Sequence, residues 1–265
     1  MTLINDIKMT LMTLDRLVNE WGLSPETFKK LDINTIQHAS EITNERRDNK
    51  ELRSEFFWTA DSSLYRLEDS EAVLYFGQRD TNLIFRNIRE ATEQLRKNRD
   101  YYIKNYIPNK EDIKSVVDSV ESENTLKIKL SELGLERHDD DNSFFKINTR
   151  DYDSLNKTQR TFAERVYGQG DDFKKNMEML NKADIPTTKI YVLNPEYVKE
   201  YVKKDSAIAQ LSFLYNFVVI SVFDATGSKA SHFDCYGLRG VPLVAEGNAQ
   251  HSSHKYAQKS KISGT

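Results

Sequence analysis

The chain has 265 residues, of which 30% are charged and 38% are hydrophobic, and its formal net charge at pH 7 is −3. This length allows two compact domains or one large one, and the near-balanced charge gives no general attraction to nucleic acid or anionic lipid. The single cysteine, Cys235, excludes an intrachain disulfide framework and a multi-cysteine metal site.

Residues 1–120 are predicted to be mostly helical. Apolar residues recur at spacings of three and four in the first helix, namely at Ile4, Ile7, Leu11, Leu14 and Val18. Ser24-Pro25 combines a hydroxyl N-cap with proline at the first helical position, and a third helix is expected from about Ile33 to Phe57. Val73–Phe76 is short and apolar and is followed by Gly77, which allows a strand there.

Two further helices are expected before the composition changes near Glu121–Asn124. They cover Leu83–Leu95 and Lys110–Ser119. After the change, the alternation and apolar content predict strands at Thr125–Leu130, Ser143–Asn148 and Lys189–Leu193. Helices are predicted at Leu155–Tyr167 and Asp172–Ala183, with a break at Gly168–Gly170, and from Asn194-Pro195 to about Lys203.

These elements predict an α+β fold with a helical N-terminal half. We expect a helical domain at residues 1–120, a boundary region at 121–136, a mixed domain with a small antiparallel sheet and two helices at 137–245, and a disordered polar tail at 246–265. From Ser143 onward, the predicted elements follow the order strand, helix, helix, strand and then terminal strands. That order is similar to the C-type-lectin-like arrangement, in which the first and last strands pair and two helices pack beneath them.

Two residue groups invite a catalytic or metal-binding interpretation, and each has a plainer structural one. His138 with Asp139–Asp141 lacks the glycine and glutamate of a calcium loop, so a solvated turn explains it better. His232 and Cys235 are three residues apart, and on an extended strand they point to opposite faces. A nucleophile and base pair is therefore not expected there.

Two further motifs are weighed in the same way. The basic residues between Arg79 and Arg99 share their helix with carboxylates, which favours a salt-bridged surface over a nucleic-acid interface. Gly168-Gln169-Gly170 lacks the third glycine and the preceding strand of a dinucleotide site. With no recognisable active site, we expect no enzymatic activity, no metal and no cofactor.

The N-terminal segment does not have the pattern of a signal peptide. It lacks a basic leader and an uninterrupted apolar core, and no stretch of the chain reaches the roughly eighteen apolar residues that a transmembrane helix needs. We therefore expect a soluble, cytoplasmic protein without membrane insertion.

The stretch Leu211–Gly240 is poor in charge. Its thirty residues contain four charged groups, Asp224, Lys229, Asp234 and Arg239. Between Leu211 and Tyr236 there is no Glu, Gln, Met or Trp, and Lys229 is the only Lys; codons with a pyrimidine in the third position encode none of these five types. A buried pair of strands would produce a similar depletion.

The segment Ala207–Val241 contains, in order, Leu-Ser-Phe-Leu-Tyr-Asn-Phe, Ser-Val-Phe-Asp-Ala and Leu-Arg-Gly-Val. It resembles the variable region of target proteins of diversity-generating retroelements, and the preceding block Arg160–Val198 is similar to their flank. In that family a reverse transcriptase rewrites adenine-containing codons within the variable region of a C-type-lectin-like domain. The resemblance implies a phage, bacterial or archaeal protein, cytoplasmic or associated with a phage particle, with its variable region at 207–241.

The function implied is that of a receptor-like or adhesin-like protein that binds an unknown protein or glycan without a cofactor and without nucleic acid. On an extended strand, Phe217, Val219, Ser221, Phe223, Ala225 and Gly227 share one face, and the residues between them share the other. The predicted ligand-contacting residues are Tyr215, Asn216, Val218, Ile220, Val222, Asp224, Thr226, Ser228, His232, Asp234 and Tyr236.

Two alternatives stay open at this point. One is a phage or mobile-element enzyme or regulator whose site is not recognisable, which would bring His138 and Asp139–Asp141 together with Glu164 or Asp171 in a cleft. The other is a helical assembly protein that uses its N-terminal helices. Burial of the C-terminal apolar run on both faces would remove the predicted binding surface.

Overall fold

The computed structural model describes residues 11–13, 37–54, 57–78, 108–121, 125–215, 222–225 and 237–239. Within these residues the strands are β1 (Leu11–Thr13), β2 (Phe57–Glu68), β3 (Glu71–Gln78), β4 (Leu126–Lys129), β5 (Glu136–Arg137), β6 (Asn142–Asn148), β7 (Thr187–Leu193), β8 (Ala207–Leu214), β9 (Val222–Asp224) and β10 (Gly237–Arg239). The α-helices are α1 (Ala39–Asp48), α2 (Lys110–Asp118), α3 (Lys157–Tyr167), α4 (Asp171–Lys182) and α5 (Pro195–Tyr201).

The described strands form one mixed sheet in the order β1-β10-β2-β8-β9-β7-β6-β5. The start of β2 pairs in parallel with β10, and its residues from Ser62 onward pair with β3, which also pairs with β4. The other edge of β2 pairs with β8, with an irregularity between Trp58 and Ser62. The short strand β9 lies between β8 and β7, antiparallel to the first and parallel to the second.

The described part of residues 1–120 does not support the predicted helical N-terminal half, although α2 lies where the helix at Lys110–Ser119 was expected. β2 and β3 form an antiparallel hairpin within the sheet, and Leu11–Thr13 is a strand paired with β10 instead of a helical turn. The expected third helix is reduced to α1, which ends at Asp48. The sequence pattern misses β2 because its small polar residues from Thr59 to Ser63 are buried, so apolar periodicity does not report the strand. The helix expected at Leu83–Leu95 and most of residues 1–36 lie outside the described residues.

The strands and helices predicted between Thr125 and Lys203 lie close to those observed, because their signals are local, whereas β5 and the first residues of β8 were not predicted. Asn156 caps α3 by accepting a hydrogen bond from the Gln159 N–H at 2.8 Å, and Asn194 caps α5 by accepting one from the Glu196 N–H at 2.9 Å. Gly168 ends α3 with a φ of 100°, a conformation that glycine adopts without steric cost.

The strand pairing differs from the expected arrangement. The first strand of the predicted C-terminal domain, β6, pairs with β5 and β7, whereas β10 pairs with β1 and β2. The sheet therefore takes strands from both sides of residues 121–136. The division of the chain into domains stays a prediction, and the tail at 246–265 lies outside the described residues.

Helices cover the sheet unequally on its two faces. We call the face covered by α1, α3 and α4 the inner face; its core includes Ile42, Tyr65, Phe145, Phe162, Val166, Met177, Ile190 and Phe223. On the opposite, outer face, α2 packs over a smaller cluster that comprises Leu64, Val73, Tyr75, Ile113, Val116, Ala207 and Ala209. Leu64 and Tyr65 are adjacent on β2 and belong to opposite faces, as strand geometry requires.

A buried carboxylate holds the start of α1. Asp61 on β2 is fully buried; its Oδ1 lies 2.8 Å from Nδ1 of His38, and its Oδ2 accepts a hydrogen bond from the Ala39 N–H at 2.7 Å. Burial alone raises the pKa of Asp61, but the charge and hydrogen bond of His38 and the Ala39 N–H together outweigh it, so the pKa lies below its ordinary value of 3.8.

Because the folded-state pKa of Asp61 is lowered, its charge contributes stability that is present above pH 3.8 and is lost as the pH falls through the folded-state pKa. We predict that the free energy of unfolding of the native chain exceeds that of Asp61→Asn above about pH 5, and that this difference shrinks below pH 3.8. Urea denaturation at a series of pH values measures it. Asp140→Asn, at a side chain that is 95% exposed, is the control. The same pH-dependent difference in both variants contradicts the prediction.

Candidate functional site

Three of the eleven predicted ligand-contacting residues lie in the described part of the chain. Tyr215 directly follows β8 and is half-buried, and Val222 and Asp224 are the first and last residues of β9. The others lie outside the described residues: Asn216, Val218, Ile220, Thr226, Ser228, His232, Asp234 and Tyr236.

Two described residues belong to the face of the predicted strand that starts with Phe217 and ends with Gly227, and both are buried. Phe223 and Ala225 are fully buried and belong to the inner-face core. The ring of Phe223 lies 5.5 Å from that of Phe76, in an edge-to-face arrangement. Along β9, Val222 and Asp224 alternate with Phe223. Part of the low-charge stretch is therefore ordinary hydrophobic interior.

The hydroxyl of Tyr65 links β9 to β7 from within the core. Tyr65 is fully buried on β2; it donates to the carbonyl oxygen of Ala225 at 3.1 Å and accepts from the N–H of Leu193 at 3.3 Å. The Ala225 N–H donates to the carbonyl oxygen of Tyr191 at 3.0 Å. Both polar backbone groups of Ala225 are thus bonded, as burial requires.

A buried guanidinium holds the end of β8 in a similar way. Arg46, in the last turn of α1, is fully buried. Its Nη1 donates to the carbonyl oxygen of Tyr215 at 2.8 Å and its Nε donates to that of Leu52 at 3.1 Å. The guanidinium also lies 5.1 Å from the centroid of the Phe57 ring, within the range of a cation–π interaction.

In both contacts the accepting atom belongs to the backbone, which matters when the side chains of the segment are replaced. Arg46 and Tyr65 bind the backbone carbonyls of Tyr215 and Ala225, not their side chains. Since every residue type has a backbone carbonyl, a change of residue type outside the buried Phe223 and Ala225 does not remove either acceptor. The segment is therefore held at two points by bonds that do not depend on its side chains.

The sheet register aligns the end of β8, β9 and the two neighbouring strands. Asp224 is the register partner of Phe213 on β8 and of Tyr191 on β7, and Tyr191 is the partner of Phe144 on β6. The rings of Phe213 and Tyr215 lie 5.1 Å apart.

Aromatic and cationic side chains lie together on the outer face of β6 and β7. We call this group the outer patch; it comprises His138, Phe144, Lys146, Lys189 and Tyr191. The His138 ring lies 5.1 Å from the Tyr191 ring, and Nζ of Lys189 lies 4.4 Å from the centroid of the Phe144 ring. Tyr191 is half-buried, and Lys146 forms an ion pair with Glu136 at 2.7 Å.

The outer patch combines aromatic rings with polar and cationic groups; Phe144 is buried, Tyr191 is half-buried and His138 is exposed. Aromatic faces offer apolar contact area with few rotatable bonds, and the lysines and His138 add polar groups around it. Among the described residues, no group of three or more His, Cys, Asp or Glu side chains is arranged to hold a metal ion. No helix in the described ranges is long and apolar enough to cross a membrane.

The residues of the catalytic alternative are not brought together. Asp139 is part of the turn between β5 and β6, where its Oδ1 accepts from the N–H groups of Asp141 and Asn142 at 3.0 and 2.8 Å. Glu164 accepts from Nε of Arg160 at 2.7 Å on α3, a helix that covers the inner face, whereas His138 belongs to the outer patch.

Sequence reasoning missed the residues that neighbour or hold the predicted site. The segment Lys189–Leu193 was recognised as a strand, and its alternation contains the missing signal, because Lys189 and Tyr191 alternate with the buried Ile190 and Val192. For Arg46 and Tyr65 no local signal exists, since their partners are 169 and 160 residues away.

Comparison with known proteins gives little further guidance. No protein-family model and no curated protein matches the chain. Among solved structures, it is similar to a nanoarchaeal protein described as accommodating massive sequence variation by the C-type lectin fold. The two are 11% identical over 82% of this chain and 90% of the other, with a TM-score of 0.49. At these values the likeness assigns this chain neither a family nor a ligand.

We predict that Tyr65→Phe lowers the free energy of unfolding by about 1–3 kcal/mol, because it leaves the Leu193 N–H and the Ala225 carbonyl without their shared buried partner. Tyr201→Phe, at a side chain that is largely exposed, is the control and is expected to change stability by less than about 0.5 kcal/mol. Urea denaturation of both variants gives the comparison. Equal losses in the two variants would refute a holding role for the Tyr65 hydroxyl.

Proposed function

We propose that this protein is a non-enzymatic binding protein whose C-terminal region presents a surface of changeable sequence to a protein or glycan ligand. In this proposal the chain is the target protein of a diversity-generating retroelement, and its C-terminal part is a C-type-lectin-like domain with a variable region at residues 207–241. The ligand-contacting positions are Tyr215, Val222, Asp224 and the eight further positions that the sequence predicts.

The observation that carries the proposal is the attachment of the segment through its backbone. A surface that tolerates many sequences needs a scaffold whose contacts survive each of them. The bonds from Arg46 and Tyr65 to the carbonyls of Tyr215 and Ala225 meet this requirement. The buried side chains of Phe223 and Ala225 are then the fixed part of the segment.

The neighbourhood of β9 supports a recognition role. Tyr191 is the register partner of Asp224, so the outer patch adjoins the predicted contact positions along the sheet. Tyr191 supplies an aromatic anchor of the kind that binding loops of antibodies use, and His138 and the two lysines add polar groups beside it. We infer that the outer patch forms the constant border of the variable surface.

The low charge of the segment agrees with ligand binding, and its residue types agree with rewriting by a retroelement. Because the segment has few charged side chains, little free energy is lost in desolvating unpaired ions when a ligand covers the surface. The residue types between Leu211 and Tyr236 are mostly those that rewriting of asparagine codons of the type AAY produces. Lys229 cannot arise from such a codon, so the proposal places it at a codon that the reverse transcriptase does not rewrite.

Two displayed libraries of equal size test the binding surface. The first randomises Tyr215, Asn216, Asp224, His232 and Tyr236, and the matched control randomises five residues of α2, namely Lys110, Glu111, Lys114, Ser115 and Asp118. After selection on a purified serum albumin, we expect the first library to yield binders at least about tenfold more often, because it changes a surface already bordered by aromatic anchors.

The amount of folded protein displayed before selection is the second readout. The proposal expects both libraries to retain it, because neither alters Phe223, Ala225, Arg46 or Tyr65. Equal binder frequencies in the two libraries, or loss of folded protein in the first library alone, would contradict the proposal.

A further inference from the structure

A basic groove lies on the helical side of the sheet, between the C-terminal end of α1 with the following 3-10 turn (Lys50–Ser54) and the face of α4 that looks toward them. It has a volume of about 470 Å³. Its charged lining comprises five cations and one carboxylate: Arg47, Lys50, Arg53, Lys175, Lys182 and Glu178.

The lining of α4 follows from helix geometry. Lys175, Glu178 and Lys182 are spaced by three and four residues, which places them on one face of the helix. Lys182 lies in the last turn, where the helix dipole favours a cation, but Lys175 lies near the middle and gains nothing from the dipole. Helix electrostatics therefore explains only part of this charge.

The positive charge of the groove is largely uncompensated. Nη1 of Arg47 lies 3.0 Å from the carboxylate of Asp172, so this cation is already paired. Across the described ranges, by contrast, no ion pair joins Lys50, Lys175 or Lys182 to a carboxylate, although Glu178 shares their groove.

Arg53 is a fixed part of the groove wall. Its Nε and Nη2 donate to the carbonyl oxygens of Arg46 and Arg47 at 2.8 and 2.9 Å. These neutral acceptors orient the guanidinium without cancelling its charge. An oriented guanidinium beside three unpaired lysines is an arrangement suited to phosphate oxygens.

We propose that this groove binds a small soluble anion that carries two or more linked phosphate groups. The volume lies in the range of small-molecule sites, about 300–1,000 Å³, and the four cations Lys50, Arg53, Lys175 and Lys182 outnumber the one carboxylate, Glu178, which leaves an excess of positive charge for such an anion. The groove is on the inner, helical side of the sheet, so its ligand does not compete with one bound beside the outer patch.

Titration calorimetry of the full chain with tripolyphosphate at low ionic strength tests the assignment. Saturable binding to one site is expected, and Lys50→Gln/Lys175→Gln/Lys182→Gln is expected to weaken it at least about tenfold. The matched control Lys174→Gln/Lys203→Gln/Lys204→Gln removes the same charge at exposed lysines outside the groove and is expected to stay within about twofold of the native chain.

Two further measurements keep the test decisive. Lys175→Gln alone is expected to weaken binding about threefold, so the result does not depend on the folding of the triple variant. Orthophosphate is expected to bind at least about tenfold more weakly than tripolyphosphate. Equal weakening by the two triple variants, no saturation of the native chain, or displacement of tripolyphosphate by a short single-stranded oligonucleotide at a lower concentration would overturn the proposal.

Discussion

The structure around β9 depends on hydrogen bonds from two buried side chains to backbone carbonyls. Arg46 holds the carbonyl of Tyr215 and Tyr65 holds that of Ala225. A charged donor contributes about 1.5–3 kcal/mol per hydrogen bond and a neutral one about 0.5–1.5, so the Arg46 contact is the stronger of the two. Neither acceptor is a side chain, so the two hydrogen bonds themselves do not require a particular residue type at the accepting positions.

Helix α1 carries one of these contacts and is itself fixed at both ends. At its start, Asp61 of β2 accepts the Ala39 N–H, and in its last turn the buried guanidinium of Arg46 reaches Leu52, Tyr215 and the Phe57 ring. A buried cation requires such partners, because removal from water costs several kcal/mol per ion. The N-terminal part of the chain therefore supplies the support for the C-terminal segment, and both belong to one sheet.

The parts of the fold that the sequence predicts correctly are those with local signals. The helices α3, α4 and α5 have apolar periodicity and Asn, Gly or Pro at their ends, and β7 is a β-branched and aromatic run. Of the hairpin, β3 was anticipated by the possible strand at Val73–Phe76, but β2 was missed because its buried Thr59, Asp61, Ser62 and Ser63 conceal the apolar alternation. β2 also pairs with β8, about 150 residues away, and the Ser63–Ser212 hydroxyl contact at 3.0 Å joins these two strands.

Sequencing of the DNA around the gene tests the central claim most directly. The account predicts a near-copy of the codons for residues 207–241, beside a reverse-transcriptase gene, that differs from the gene mainly at adenines. Those adenines are expected at the codons for Val222 and Asp224 and not at the codons for Phe223 and Ala225, whose side chains are buried in the core. Absence of such a copy, or adenines as frequent at the two buried positions as at their neighbours, would contradict it.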